Sequence, residues 1–263
     1  MEQKIELLKD ERIDDLQLDG LKIIQNNKYN FTSDSAILAN FVSAKKSDTC
    51  VEIGTGTGVI SILVNYKNNP KKIIAFEIQK EVSSLAEKNI KLNNLQDKIE
   101  IINSPIQNFK EYVNKESIDV VFANPPYLKV NGLSLINTED TKAKSRHEIC
   151  LTLEEFIKYS SQILKFGGKL FFVHRPNRLS EIFECLHKYK LEPKKMFFTQ
   201  PNEKTEPSTV LIMAQKNAKP ELKVLPTLIT NDKNGDYLFT IRELYKEKKW
   251  YILFQHQLAI WKI

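Results

Sequence analysis

Thr49-Cys50-Val51-Glu52-Ile53-Gly54-Thr55-Gly56-Thr57-Gly58-Val59 decides the fold of this chain. A short apolar run, Thr49 to Ile53, meets alternating glycines and then a second apolar run, Val59 to Tyr66. The first run has the length of a buried strand, the second that of a helix. Glycine lets the backbone turn sharply and approach a ligand closely. The spacing is G-x-G-x-G, not the G-x-G-x-x-G that seats a pyrophosphate on a helix N-terminus.

The same rhythm continues on either side. Downstream, strands are expected at Lys72 to Glu77, Ile99 to Asn103, Ile118 to Ala123, Lys169 to His174, Lys194 to Thr199 and Thr209 to Lys216. Helices are expected at Lys80 to Asn93, where Val82, Leu85, Ala86 and Ile90 recur at helical spacing, and at Thr152 to Leu164 and Arg178 to Tyr189. Gly167-Gly168 reads as the stop of the second of these helices. Upstream, Thr32-Ser33-Asp34 is a capping cluster ahead of Ser35 to Val42, and residues 1–30 read as a polar lead-in. Strands alternating with helices predict an α/β fold with a doubly wound, mostly parallel, seven-stranded sheet of the Rossmann-like kind. The expected organisation is a lead-in and first helix over 1–46, the α/β domain over 47–245 and an atypical tail over 246–263. The apolar, aromatic end of that tail, 249–263, reads either as a last packed element or as sequence shaped by an overlapping reading frame.

Composition is that of a soluble globular chain, with 41% hydrophobic and 27% charged residues. No apolar run is long enough to span a bilayer, and the charged start lacks a signal peptide's apolar core, so a cytoplasmic protein without membrane association is expected. Cys50, Cys150 and Cys185 stand far apart and have no metal-ligand spacing; free thiols and no metal are expected. A net charge of +6 is compatible with a polyanionic partner.

Two further segments fall at the carboxyl ends of expected strands, where doubly wound sheets bind ligands. Glu77 follows the glycine loop by about 20 residues, the spacing at which a carboxylate accepts ribose hydroxyls. Asn124-Pro125-Pro126-Tyr127 closes the strand ending at Ala123. An amine conjugated into a ring is a poor nucleophile. The Asn124 side-chain oxygen and the Pro125 carbonyl can both accept its hydrogens and concentrate density on nitrogen. Two prolines stiffen the turn and leave its carbonyls free. Tyr127 offers a ring face on which a planar group can stack, and a nucleobase target would have to be flipped out to reach it.

With these residues in place the chain resembles the class I methyltransferases, and among them the Asn-Pro-Pro-Tyr amino-methyltransferases. The narrower resemblance is to the bacterial family that methylates N6 of adenosine 37 in a valine tRNA. It rests on Asn30-Phe31-Thr-Ser-Asp34-Ser-Ala-Ile-Leu-Ala39, on Ser145-Arg146-His147-Glu148 and on Val173-His174-Arg175-Pro176-Asn-Arg178-Leu179. The resemblance implies S-adenosylmethionine as cofactor, held by Glu52, Gly54, Thr55, Gly56, Gly58, Glu77, Ile78 and Asn124, with Glu52 near the methionine ammonium. It implies catalysis by Asn124, Pro125, Pro126 and Tyr127, and a tRNA anticodon loop as partner. Phe31, Arg146, His147 and Arg175 are candidate substrate contacts. One departure stands out: Pro105 occupies the position where the family carries an Asp that accepts from the cofactor's adenine amine, leaving Asn103 or Ser104 to substitute. Two other readings stay open, a protein glutamine N5-methyltransferase and a non-catalytic RNA-binding protein with a weakened cofactor site. The short segment ahead of the first strand argues against the former, because release-factor methyltransferases carry a separate helical domain there.

Overall fold

The computed structural model describes residues 5–125, 151–238 and 240–246. Pro126, Tyr127, Arg146, His147 and the tail 249–263 lie outside the described residues.

An antiparallel ribbon, β1 (Arg12–Asp15) and β2 (Lys22–Gln25), precedes helix α1 (Ser33–Phe41). The first half of the main sheet follows as β3 (Thr49–Ile53), α2 (Val59–Asn68), β4 (Lys72–Phe76), α3 (Lys80–Leu92), β5 (Ile99–Ile102) and β6 (Ile118–Ala123). A 3-10 turn at Ile106–Glu111 links β5 to β6. The second half is α4 (Leu153–Ile163), β7 (Leu164–His174), α5 (Leu179–Lys188), β8 (Leu191–Gln200) and β9 (Thr209–Lys216). Two-residue strands β10 (Lys223–Val224) and β11 (Leu228–Ile229) and a short helix α6 (Ile241–Lys246) complete the described chain.

The seven longer strands run β5-β4-β3-β6-β7-β9-β8 across the sheet, and β10 and β11 add to the outer edge of β8. All neighbours are parallel except β9, which is antiparallel to both β7 and β8. The strand order reverses between β3 and β6. Helices α2 and α4, which follow those two strands in the described chain, pack in the apolar layers of opposite faces, and a doubly wound sheet opens a crevice at such a point. The glycine loop leaves β3 and Asn124 leaves β6, so both sequence motifs fall at that crevice.

Each face of the sheet carries its own apolar layer. Phe171 and Phe172 are consecutive in β7 and point to opposite faces, as strand geometry requires. Phe171 meets Phe41 of α1 edge-on at 5.4 Å, and Phe172 meets Phe156 of α4 at 5.6 Å. Helix α4 starts in a capping box, Thr152 bonding the Glu155 N–H while Glu155 reaches back to the Thr152 N–H.

Two expectations change. Residues 12–25 form the ribbon rather than an irregular lead-in, and Leu16, Leu18, Ile23 and Ile24 are buried. Asn89 of α3 and Asn93, which caps the C-terminus of that helix, each bond both the N–H and the C=O of a β2 residue, Ile24 and Lys22 respectively. These side-chain amides thus serve the edge of β2 that is not paired to β1. Gly167-Gly168, read as a helix stop, lies inside β7, where the pairing with β6 shifts register. A Cβ on Gly168 would come within 3.0 Å of the Lys165 carbonyl and 3.2 Å of the Ile118 carbonyl, so the irregular pairing requires glycine there. The helix ends instead at Ile163, directly where the strand begins.

Among the described residues no helix is long and apolar enough to cross a membrane. Cys50 and Cys185 are buried free thiols.

Candidate functional site

The glycine loop is stitched over the end of β4. The N–H groups of Gly54 and Thr55 donate to the Phe76 carbonyl at 2.9 and 3.0 Å. Gly54 and Gly56 have φ of +72° and +58°, in the left-handed region that side chains disfavour. A Cβ on either would meet nothing within 4 Å, so the backbone faces open space. Gly58 serves packing instead: its Cβ position lies 3.5 Å from the Ala86 Cβ, which lets α2 and α3 approach.

That open space is a cleft of about 350 Å³, within the range of small-molecule sites. Gly54, Gly56, Glu77, Ile78, Asn124 and Pro125 all line it. An adjoining compartment of about 190 Å³ shares Gly54, Gly56 and Asn124 and adds Thr55, Phe31 and Ser35. Tyr29 and Asn30 border both. Asn124 stands where the two meet, and its side-chain amide donates to the Ser35 hydroxyl at 3.2 Å.

Glu77 is nearly buried yet opens onto the cleft. One carboxylate oxygen accepts the Gly56 N–H at 3.0 Å and the other the Gln79 N–H at 2.9 Å. These bonds fix the carboxylate, and each oxygen keeps a second lone pair for a ligand hydroxyl. Asn103 steadies the same segment from behind, donating to the Glu77 and Ile78 carbonyls at 2.9 and 3.2 Å. Of the two residues expected to stand in at the Pro105 position, Ser104 lines the cleft beside Pro105, whereas Asn103 acts as this brace.

Glu52 lies beneath the loop. Its Oε2 accepts hydrogen bonds from Thr55 Oγ1 at 2.7 Å and from the Ser61 hydroxyl, and its Oε1 is buried with no partner among the described residues. Burial pushes its carboxyl up to about 7, against the opposing pull of the Ser61 and Thr55 hydroxyls. A fully buried carboxylate with one unsatisfied oxygen favours a positive group nearby.

The His174-Arg175 segment lies at the carboxyl end of β7. His174 is buried, and its Nδ1 accepts the Arg175 N–H at 2.8 Å. Burial and then the Arg178 charge lower its pKa to about 4, so the ring is neutral. The Arg175 guanidinium donates to the Ser208 carbonyl at 2.8 Å, tying β7 to the loop between β8 and β9. Neither residue lines the cleft or its annex.

Sequence reasoning missed Ser35 as a site residue because its neighbourhood, Thr32-Ser33-Asp34, is a strong helix-start signal that absorbed it. It also missed Asn89, whose second amide hydrogen reaches the Thr57 carbonyl at 2.9 Å and anchors the glycine loop to α3.

With this geometry in hand, the sequence pattern of the methyltransferase small domain matches residues 28–189. A protein of Dyadobacter fermentans named tRNA1(Val) (adenine(37)-N6)-methyltransferase is 30% identical over 77% of this chain and 82% of its own length. A protein of the same name from Bacteroides fragilis is 26% identical over 81% and 89%. Among solved structures, a predicted O-methyltransferase of Agrobacterium tumefaciens superposes with a TM-score of 0.64 at 18% identity, over 82% of this chain and 96% of that one. Pyrococcus horikoshii TYW2 in complex with MeSAdo superposes with a TM-score of 0.56 at 16% identity, over 80% and 73%. At these identities the structures establish the shared fold.

Proposed function

This chain belongs to the methyltransferase small domain family, and we propose that it transfers a methyl group to N6 of an adenine in a tRNA anticodon loop, of the position-37 type. S-adenosylmethionine is the cofactor, and when bound it supplies an electrophilic methyl group on a sulfonium centre. The cleft suits it: the open cradle at Gly54 and Gly56 admits close backbone contact, and Glu77 offers two fixed carboxylate oxygens for ribose hydroxyls. Ile78 provides an apolar wall, and Glu52 a buried carboxyl under the loop whose ionised form a nearby cation would favour.

The observation that carries the reading is Asn124 at the junction of the two compartments, with Pro125 beside it. An amine held by the Asn124 side-chain oxygen and the Pro125 carbonyl has its lone pair directed away from both. As that lone pair forms the new N–C bond, the methyl group's bond to sulfur breaks. The methylated nitrogen then carries positive charge and sheds a proton to water, so no strong general base is needed. Holding donor and acceptor in line supplies much of the rate. Tyr127 takes the stacking role, and Arg146, His147 and Arg175 contact the RNA. The names of the relatives support adenine over a protein amide, and a tRNA substrate fits a cytoplasmic protein.

The test is mass spectrometry of tRNA nucleosides from cells with and without the gene, followed by methyl transfer with purified protein. N6-methyladenosine at the anticodon loop is expected to depend on the gene. An unchanged level, or methyl incorporation into protein instead, overturns the proposal.

A further inference from the structure

We infer that Gln107 reads the purine edge of the cofactor, taking the part that Pro105 leaves without a polar side chain. This rests on the placement of the donor's methyl group at Asn124 and its ribose at Glu77 given above. The order of the strands then decides where the base lies. Asn124 follows β6, the glycine loop follows β3, Glu77 follows β4, and Ser104 to Gln107 follow β5; all four segments line the cleft. The four strands are neighbours in that order. A donor laid from Asn124 to Glu77 therefore carries its base one strand further, over the end of β5. Neighbouring strands lie about 5 Å apart, so that step is on the scale of ribose to purine.

Pro105 itself has no N–H, and its carbonyl accepts the Asn108 N–H at 3.1 Å and the Ser104 hydroxyl at 3.4 Å. Its φ of −67° leads into the 3-10 turn. Ile106 and Phe109, three positions apart and so on one side of that turn, are buried in the apolar layer and pin it. Gln107 lies between them, half-buried, and lines the cleft together with Ile78, Pro105 and Ile106. Three apolar side chains and one carboxamide thus share this end of the cleft.

A carboxamide matches adenine. The base presents an amine donor beside a ring-nitrogen acceptor, and the oxygen and NH₂ of Gln meet both at once. With two donor hydrogens and two acceptor lone pairs, the group keeps capacity for protein contacts as well. Ser104, whose hydroxyl hydrogen goes to the Pro105 carbonyl, can meet only the amine. Gln79 offers a second carboxamide on the cleft, but it follows β4, and its N–H is bonded to Glu77 beside the ribose.

The test compares, by calorimetry, S-adenosylhomocysteine with its analogue carrying purine in place of adenine, which lacks only the amine. The wild type is expected to bind the first about three- to tenfold more tightly, the range of one neutral hydrogen bond. Gln107→Ala abolishes that preference with the thermal midpoint near wild type, whereas Gln107→Glu, Ser104→Ala and Gln79→Ala keep it. A preference that survives in Gln107→Ala overturns the assignment, even if both ligands bind more weakly, since a uniform loss marks a structural residue. So does a preference that disappears in Ser104→Ala or Gln79→Ala instead, or a wild type that binds the two ligands equally. An analogue lacking both ribose hydroxyls that binds as tightly as S-adenosylhomocysteine takes the ribose away from Glu77, and the inference falls with its premise. A protein with the expected preference that leaves tRNA unmethylated overturns the adenine-N6 reading and leaves the role of Gln107 standing.

Discussion

Asn89 pairs with Ile24 as one peptide unit pairs with another. Its side-chain oxygen accepts the Ile24 N–H, and its amide donates to the Ile24 carbonyl at 2.9 Å. The remaining amide hydrogen goes to Thr57 in the glycine loop, so one buried side chain joins the ribbon, α3 and the cofactor cleft.

Replacing Asn89 with Ala leaves three buried backbone groups without a partner. A loss of about 2–4 kcal/mol in stability is expected, together with weaker S-adenosylmethionine binding because the loop loses its anchor at Thr57. Urea unfolding and calorimetric titration read the two effects. A wild-type urea midpoint would mean that water takes over the bonds.

The loop glycines separate strain from occlusion. Gly56→Ala forces a side chain into a left-handed backbone, at a cost of about 1–2 kcal/mol, and also projects a methyl group into the cleft. Gly58→Ala carries similar strain but meets Ala86 at ordinary contact distance, away from the ligand. Both variants should lose stability, whereas cofactor affinity should fall at least about tenfold only in Gly56→Ala. Equal affinity losses in calorimetry would contradict the assignment of the open space to the cofactor.

Glu52 and His174 pull the pH dependence of stability in opposite directions. Burial raises Glu52 from 4.5 to about 7, so its contribution is full below 4.5 and is lost as pH climbs through 7. Burial lowers His174 from 6.5 to about 4, so its contribution is full above 6.5 and is lost as pH falls through 4. Between about 4.5 and 6.5 the two slopes cancel in the wild type. Glu52→Gln should therefore unmask stability that rises with pH across that window, and His174→Asn stability that falls. Chemical denaturation at a series of pH values measures this; identical profiles for wild type and both variants would refute it.

Arg175 follows the carboxyl end of β7, and its guanidinium holds the Ser208 carbonyl. If it also meets RNA phosphate, Arg175→Ala should weaken tRNA binding and lower the salt slope, log K against log salt, by about one. A drop in thermal midpoint with the salt slope intact would assign Arg175 to the loop alone.

The alternating strands and helices, the glycine loop and the placement of Glu77 and Asn124 at strand ends were legible because their signals are local. Periodicity and glycine spacing act within a dozen residues. The ribbon was not legible, because the free edge of β2 is bonded by Asn89 and Asn93, some 65 to 71 positions away. Gly167-Gly168 misled for a related reason. A glycine pair after a helical run reads as a cap, and only the approach of the Ile118 carbonyl from β6 shows why β7 needs it. Ser35 was hidden by its double role, since one serine serves both a helix start and a contact 89 positions on.

The brace between α6 and α1 has a consequence for the order in which the protein matures. Residues 241–246 reach back more than 200 positions to hold the helix that presents Ser35. On the ribosome, the glycine loop and its strands emerge long before that brace exists. The donor half of the site can thus take shape early in synthesis, while the acceptor half gains its last support only as the end of α6 leaves the exit tunnel. Nascent chains stalled before Ile241 should show α1 open to protease while the β3–α2 segment is already protected.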